Sequence, residues 1–272
     1  MPRPLPDILP IRWPAGAAAP PPETEAALDR AARLLVEGGL VAIPTETVYG
    51  LAARADDPEA VGRIFAAKGR PASNPLIVHA ADEAMARRLA SAWPAAAARI
   101  TAQLWPGPVT VVVPRGATIP DEVTAGGATV ALRCPEHPLT RRLIEKAGVP
   151  LAAPSANRSL AVSPTTAAHV LESLGNRIDL ILDGGPSSRG IESTVVDCTA
   201  SPPRILRPGP VGRDQLEAIL GAPLAVGAEP AAAVARSPGM LARHYAPKTP
   251  LVLASDAAQR VAELLASGKR VG

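Results

Sequence analysis

Several short segments of this 272-residue chain place hydroxyls, amides and charges where apolar runs end. Pro44-Thr45-Glu46-Thr47-Val48-Tyr49-Gly50-Leu51 sets two hydroxyls and a carboxylate directly after the apolar run Leu40–Ile43. Side chains that do chemistry commonly emerge from such strand ends, although a plain hydroxyl-rich turn has the same composition. Lys68-Gly69-Arg70-Pro71 puts two cations around a helix stop, an end that favours cations in any case. The spacing of Val61, Ile64, Phe65 and Lys68 lays the lysine stem on an apolar stripe, with its ammonium expected at the rim. Ser73-Asn74-Pro75 leads into Leu76–His79, where Ile77 and His79 share one strand face. A lone histidine there is more often a core residue than a ligand.

Thr129-Val130-Ala131-Leu132-Arg133 ends an apolar strand on a guanidinium. Burying that group alone is costly, so it must reach a carboxylate, a phosphate or solvent. Pro154-Ser155-Ala156-Asn157 again ends a strand with small hydrogen-bonding side chains, and Ser163-Pro164 has the form of a helix N-cap. Glu192-Ser193-Thr194 brings hydroxyls into another strand, and alternation along Arg204-Ile205-Leu206-Arg207 predicts Ile205 and Arg207 on one side. Each segment alone is weak. Together they offer several cations and many hydroxyls but few carboxylates, an inventory suited to an anionic ligand such as a nucleoside triphosphate. The chain has no G-x-x-x-x-G-K-[ST] loop, no G-x-G-x-x-G and no G-x-S-x-G, and its four histidines lack metal-ligand spacing.

The elements that must position these groups read as a mixture of strands and helices. A helix is expected over Glu23–Glu37, stopped by Gly38-Gly39, and another after Asp56-Asp57-Pro58, ended by Gly69. Strands are expected at Leu40–Ile43, Leu76–Val78, Val109–Val113, Thr129–Leu132, Leu151–Ala153, Leu180–Leu182, Thr194–Val196 and Arg204–Leu206. Further helices fall near 95–104, 138–147 and 164–174. This pattern argues for an α/β or α+β domain around one twisted sheet. Residues 1–22 read as an extended leader, and the Ala/Pro/Gly-rich texture from Gly221 to Pro238 as a linker. After it come a strand at Leu251–Leu253 and a helix at Asp256–Ser267, too little to bury a core.

Bulk properties narrow the function further. Net charge is +3, with no Lys/Arg block long enough for a nucleic-acid arm. Six aromatics (Phe 1, Tyr 2, Trp 3) leave no platform for stacking single-stranded bases. Cys134 and Cys198 cannot make a disulfide framework. No secretory signal and no apolar run of 18 residues is present, so the cytoplasm is the simplest location.

At this point the sequence resembles a known family. Pro44–Leu51, Lys68-Gly69-Arg70-Pro71, Asn74-Pro75-Leu76 with His79, Leu104-Trp105-Pro106-Gly107-Pro108-Val109-Thr110, Pro154-Ser155-Ala156-Asn157 and Ser193-Thr194-Val195-Val196-Asp197 look like the motifs of the YrdC-domain family, in order along the chain. Ser237-Pro238-Gly239-Met240 and Arg243-His244-Tyr245-Ala246-Pro247 resemble the linker of its two-domain form. The resemblance implies an open, twisted mixed sheet with flanking helices over residues 23–220 and a linker over 221–247. Residues 248–272 would then begin a shortened, Rossmann-like second domain. It implies a nucleotidyltransferase that joins L-threonine, bicarbonate and ATP into L-threonylcarbamoyl-adenylate with release of pyrophosphate, for tRNA modification. Carried over position by position, Thr47, His79, Arg133, Ala153 (through its backbone) and Ser193 would hold the amino acid. Arg70, Asn74, Thr129, Ser155, Ser163, Arg207 and Tyr245 would hold ATP, and Lys68 and Arg70 would be the catalytic cations. Mg²⁺ would arrive with the ATP rather than in a protein cage. Downstream partners would be the proteins that transfer the product to tRNA. Other classes remain open on the residues alone: a non-catalytic binder of double-stranded RNA or tRNA, and a relative that forms a different carbamoyl-adenylate.

Overall fold

The computed structural model describes residues 4–227 and 252–271. Its strands are β1 (Asp7–Pro10), β2 (Val41–Ile43), β3 (Gly50–Arg54), β4 (Ile77–His79), β5 (Val109–Pro114), β6 (Thr129–Arg133), β7 (Leu151–Ala152), β8 (Leu180–Asp183), β9 (Thr194–Asp197), β10 (Arg204–Arg207) and β11 (Ala225–Val226). The helices are α1 (Pro22–Val36), α2 (Pro58–Lys68), α3 (Glu83–Arg88), α4 (Ala95–Leu104), α5 (Asp121–Thr124), α6 (Pro138–Ala147), α7 (Ala167–Leu174), α8 (Arg213–Leu220) and α9 (Ala257–Ala266). The strands form one mixed, unclosed sheet in the order β1-β8-β2-β3-β7-β4-β6-β5-β9-β10-β11.

Strand alternation sorts the apolar residues into layers. Ala42 and Ile181 turn to one face, which is covered by Val61 and Ile64 of α2, Ile100 of α4, Val170 of α7 and Leu216 of α8. Val41, Ile43, Leu180 and Leu182 turn to the other face, under Leu28 and Leu35 of α1 and Leu143 of α6. That second cover runs out past β7. Beyond it Ile77, Val112, Ala131 and Val195 make a separate cluster built from strand residues alone, with Leu206 packed against it. Polar residues at the same faces of these strands (His79, Thr110, Arg133) are therefore left beside an uncovered stretch of sheet.

Local signals explain how the site-bearing ends are fixed. Asp57 caps α2, accepting from the backbone N–H groups of Glu59 at 2.9 Å and Ala60 at 3.3 Å, and Pro58 opens the first turn. Gly69 ends the helix at φ 60°, a left-handed position that glycine takes without strain, and so sets Lys68 and Arg70 on either side of the stop.

The structure departs from the sequence expectations at several points. The linker expected from Gly221 still belongs to the sheet domain at its start, where Leu224 is buried in the core and Ala225–Val226 pairs in parallel with β10. The leader is not free chain, because Asp7–Pro10 pairs in parallel with β8 and Ile11 is fully buried. Proline is tolerated there because β1 is an edge strand. The helix expected from 164 begins at Ala167, where the Thr166 hydroxyl accepts from His169 N–H, so Ser163 is not its cap. Val252 and Leu253 are not in a strand, while the helix after Asp256 forms as α9. Finally, Ile205 pairs with Val196 and Arg207 with Val195, with a register shift between them. This bulge inserts Leu206 as an extra residue and turns Arg207 to the face opposite Ile205.

The segment after this bulge approaches β9 closely. A Cβ on Gly209 would lie 2.4 Å from the Thr194 backbone nitrogen and 2.6 Å from the Glu192 carbonyl oxygen. Gly209→Ala is therefore expected to cost about 1–3 kcal/mol, read as a lowered urea midpoint with far-UV dichroism retained; an unchanged midpoint would contradict the close approach.

Candidate functional site

The uncovered stretch of sheet carries a cavity that opens to solvent. Thr47, His79, Arg133, Ala153 and Ser193 all line it, and so do Arg70, Ser155 and Arg207. Lys68, Asn74, Thr129 and Ser163 do not line it, and Tyr245 lies outside the described residues. Thr129 is four residues before Arg133 on β6, about 13 Å away by strand rise.

Arg133 organises one side. Its NH2 group donates to Glu46 Oε1 at 2.5 Å, its NH1 group to the Thr47 hydroxyl at 2.9 Å and its Nε to the Gly107 carbonyl at 3.3 Å. Both charged partners are buried, Arg133 at 4% and Glu46 at 5% exposure. A guanidinium has five N–H donors, so two remain for a ligand among the described residues, the number a bidentate carboxylate requires. Thr47 is held in turn by a 2.8 Å hydroxyl contact to Thr45, whose oxygen also accepts from the backbone of Thr47 and Val48.

The opposite wall is pinned by Arg207. Its Nε and NH2 donate to the Ser193 carbonyl at 3.1 and 3.0 Å, and NH2 reaches the Ser193 hydroxyl at 3.1 Å. That hydroxyl is 2.7 Å from Thr110 Oγ1 on β5. Arg70 donates through Nε to the Asn74 carbonyl at 3.1 Å and through NH2 to the Pro75 carbonyl at 2.8 Å. These bonds fix the direction of each guanidinium before any ligand arrives, as electrostatic preorganisation demands.

Lys68 corrects the sequence expectation. Its ammonium is not at the rim but buried, donating to the backbone carbonyls of Ser155 and Asn157. The apolar stripe carried the whole side chain inward, and two carbonyl acceptors made that tolerable. Burial, reinforced by the nearby charge of Arg70, pushes its pKa well below the ordinary lysine range. Lys68 thus ties α2 to the Ser155–Asn157 segment. Asn74 is buried as well, with its side-chain oxygen unpartnered among the described residues.

Two carboxylates that sequence reasoning left without a role complete the site. Glu46 pairs with Arg133, and the need of a buried guanidinium for a carboxylate was the signal that could have found it. Glu192 lines the cavity and accepts from the Ser163 hydroxyl.

His79 is buried beside Arg133, and its Nδ1 has no partner among the described residues. Burial, then the charge of Arg133, pushes its pKa down to about 3. The ring is therefore neutral at physiological pH, offering a hydrogen bond rather than a charge. The unfolded chain takes up this proton near pH 6.5, so stability falls as pH drops from about 6.5 toward 3. His79→Gln is expected to reduce the stability lost between pH 7 and pH 5 by about 2 kcal/mol, measured by urea unfolding at both values. Identical losses in the two proteins would contradict a neutral buried imidazole.

A family model named for Sua5, YciO and YrdC and described as "Telomere recombination" matches residues 33–209, and one described as "Threonylcarbamoyl-AMP synthase, C-terminal domain" matches residues 211–272. The chain is 45% identical over 250 residues to the threonylcarbamoyl-AMP synthase of Bacillus subtilis, covering 89% of this chain and 72% of that protein. A solved structure of Pyrococcus abyssi Sua5 complexed with L-threonine superposes with a TM-score of 0.87 at 40% identity, covering 96% of this chain and 76% of the other. The Escherichia coli YciO structure, at 20% identity and a TM-score of 0.64, shares the fold. With the first model covering well over half of the chain and the Bacillus subtilis relative at 45% identity, the chain belongs to the Sua5/YciO/YrdC family.

Proposed function

We propose that this chain is a nucleotidyltransferase that makes L-threonylcarbamoyl-adenylate, the activated precursor of the threonylcarbamoyl group on tRNA. The observation that carries the reading is a single cavity in which Thr47, Arg133 and Ser193 stand next to Arg70, Ser155 and Arg207. Relatives at 41–45% identity named threonylcarbamoyl-AMP synthase support it.

Threonine and bicarbonate condense to an N-carboxylate with loss of water, and a carbamate oxygen then attacks the α-phosphorus of ATP. The P–O bond to pyrophosphate breaks as the new P–O bond forms. The carbamate is a weak nucleophile, and threonine carbamate with its carboxylate is a dianion approaching a polyanion. Positioning and local positive charge are therefore what the protein must supply. In this reading Arg133 grips the carboxylate, Thr47, Ser193 and neutral His79 orient the amino acid, and the Ala153 backbone closes that side. Arg70, Arg207 and Ser155 take the nucleotide, with Asn74, Thr129 and Ser163 at its margin and Lys68 holding the Ser155–Asn157 segment against it from behind. Tyr245 covers the nucleotide from the linker that follows β11, with residues 248–272 the start of a second domain. Mg²⁺ comes with the ATP, held mainly by phosphate and water. The product passes to proteins that transfer its threonylcarbamoyl group to a tRNA adenosine with release of AMP. No helix among the described residues is long and apolar enough to cross a membrane, and the cytoplasm supplies all three substrates.

Pyrophosphate is expected from ATP only when L-threonine and bicarbonate are both present; release without threonine would overturn the substrate assignment. Arg133→Ala should weaken L-threonine binding about tenfold or more, and ATP binding by less. Arg207→Ala should lose ATP binding most, with a smaller loss for threonine because Ser193 loses its support. Equal losses in calorimetric titrations of both variants would refute the division.

A further inference from the structure

Among the described residues Glu192 is the only carboxylate lining the cavity, whose walls otherwise carry the guanidinium groups of Arg70, Arg133 and Arg207. An acid in a site built for phosphates and carboxylates opposes binding of both unless it meets a cation. Glu46, the other acid nearby, is already engaged, Oε1 by Arg133 and Oε2 by the Glu136 backbone N–H at 3.1 Å. Glu192 is different. One of its oxygens accepts from the Ser163 hydroxyl, and among the described residues the other makes no hydrogen bond.

Its position is also particular. Glu192 directly precedes Ser193, which the proposed reading gives to the amino acid, and takes its hydrogen bond from Ser163, which that reading gives to the nucleotide. It is half-buried, and its charge is felt by Lys68. Its backbone is fixed by the close approach of Gly209 to the Glu192 carbonyl. Glu192 thus stands at the seam between the two halves of the cavity. The substrate nitrogen must lie at that seam, because the carbamate built on it has to reach the α-phosphorus.

We propose that Glu192 binds the α-ammonium group of the amino acid and so orients the nitrogen toward the nucleotide half. This rests on the amino-acid-activating reading above. The arrangement gives a zwitterion two charged contacts, Arg133 for the carboxylate and Glu192 for the ammonium. It selects against acids that lack the amine, since these leave the glutamate facing an anion unpaired.

Titration calorimetry of the full chain tests this with L-threonine and with (2S,3R)-2,3-dihydroxybutanoate, in which a hydroxyl replaces the ammonium. The wild type should prefer threonine. Glu192→Gln keeps an acceptor for Ser163 and should weaken threonine about tenfold or more, with the hydroxy acid and Mg-ATP each changed less than about twofold. Glu192→Asp, which retains the charge, should recover part of the preference and serves if the glutamine variant does not fold. Unchanged threonine affinity, equal weakening of both acids, or a loss confined to Mg-ATP would each overturn the proposal. A wild type that binds neither acid would instead overturn the reading beneath it.

Discussion

The buried pair of Arg133 and Glu46 is the interaction around which the site is assembled. Removing one member of such a pair leaves an unpaired charge in the interior, at a cost of about 3–5 kcal/mol. The structure avoids that cost by converging several segments on the pair. Thr47 and the Gly107 carbonyl complete the guanidinium, and the Glu136 backbone completes the carboxylate. The Glu46 carbonyl accepts from Arg189 N–H at 2.9 Å and the Thr47 carbonyl from Gly190 N–H at 3.0 Å. One ion pair therefore joins the β2–β3 connection, the end of β6, the approach to α6 and the segment that carries Glu192 and Ser193. It also neutralises one charge, so that Arg133 presents directed donors rather than an unscreened cation.

The fold makes room for this arrangement by leaving one face of the sheet partly bare. α1 and α6 cover it only over one end, and the small cluster around Ile77, Ala131 and Val195 forms a floor at the other. On that floor the strands deliver His79, Thr110 and Arg133 by simple alternation, and a bulge delivers Arg207. Backbone carbonyls, which cannot reorganise far, hold Arg70, Lys68 and Arg207. A reaction between two anions gains most from such preformed positive directions, and none of it needs a protein nucleophile.

Much of the site was legible because polar residues stand out against apolar strands. Arg133 at the end of Thr129–Arg133 announced that it needed a partner, and the turn after Leu40–Ile43 contained one. Their union was hidden because 87 residues separate them. Alternation alone puts Arg207 on the wrong face, since a bulge changes register without leaving a mark in the pattern. For Lys68 the stripe predicted a buried stem, but the acceptors that draw the ammonium in are backbone atoms of a distant segment. The strand Asp7–Pro10 is obscured by its proline, which an edge position allows. Short helices such as α3 and α5, and the β3 strand with its alanines, carry too little periodicity to be read in isolation.

The central claim is that this cavity joins a bicarbonate carbon to threonine and to adenylate. Mass spectrometry of the products formed from ATP, L-threonine and ¹³C-bicarbonate tests it most directly. The account predicts a threonylcarbamoyl-adenylate one mass unit heavier than that formed from unlabelled bicarbonate. An adenylate of threonine lacking the added carbon, or no adenylate at all, would contradict it.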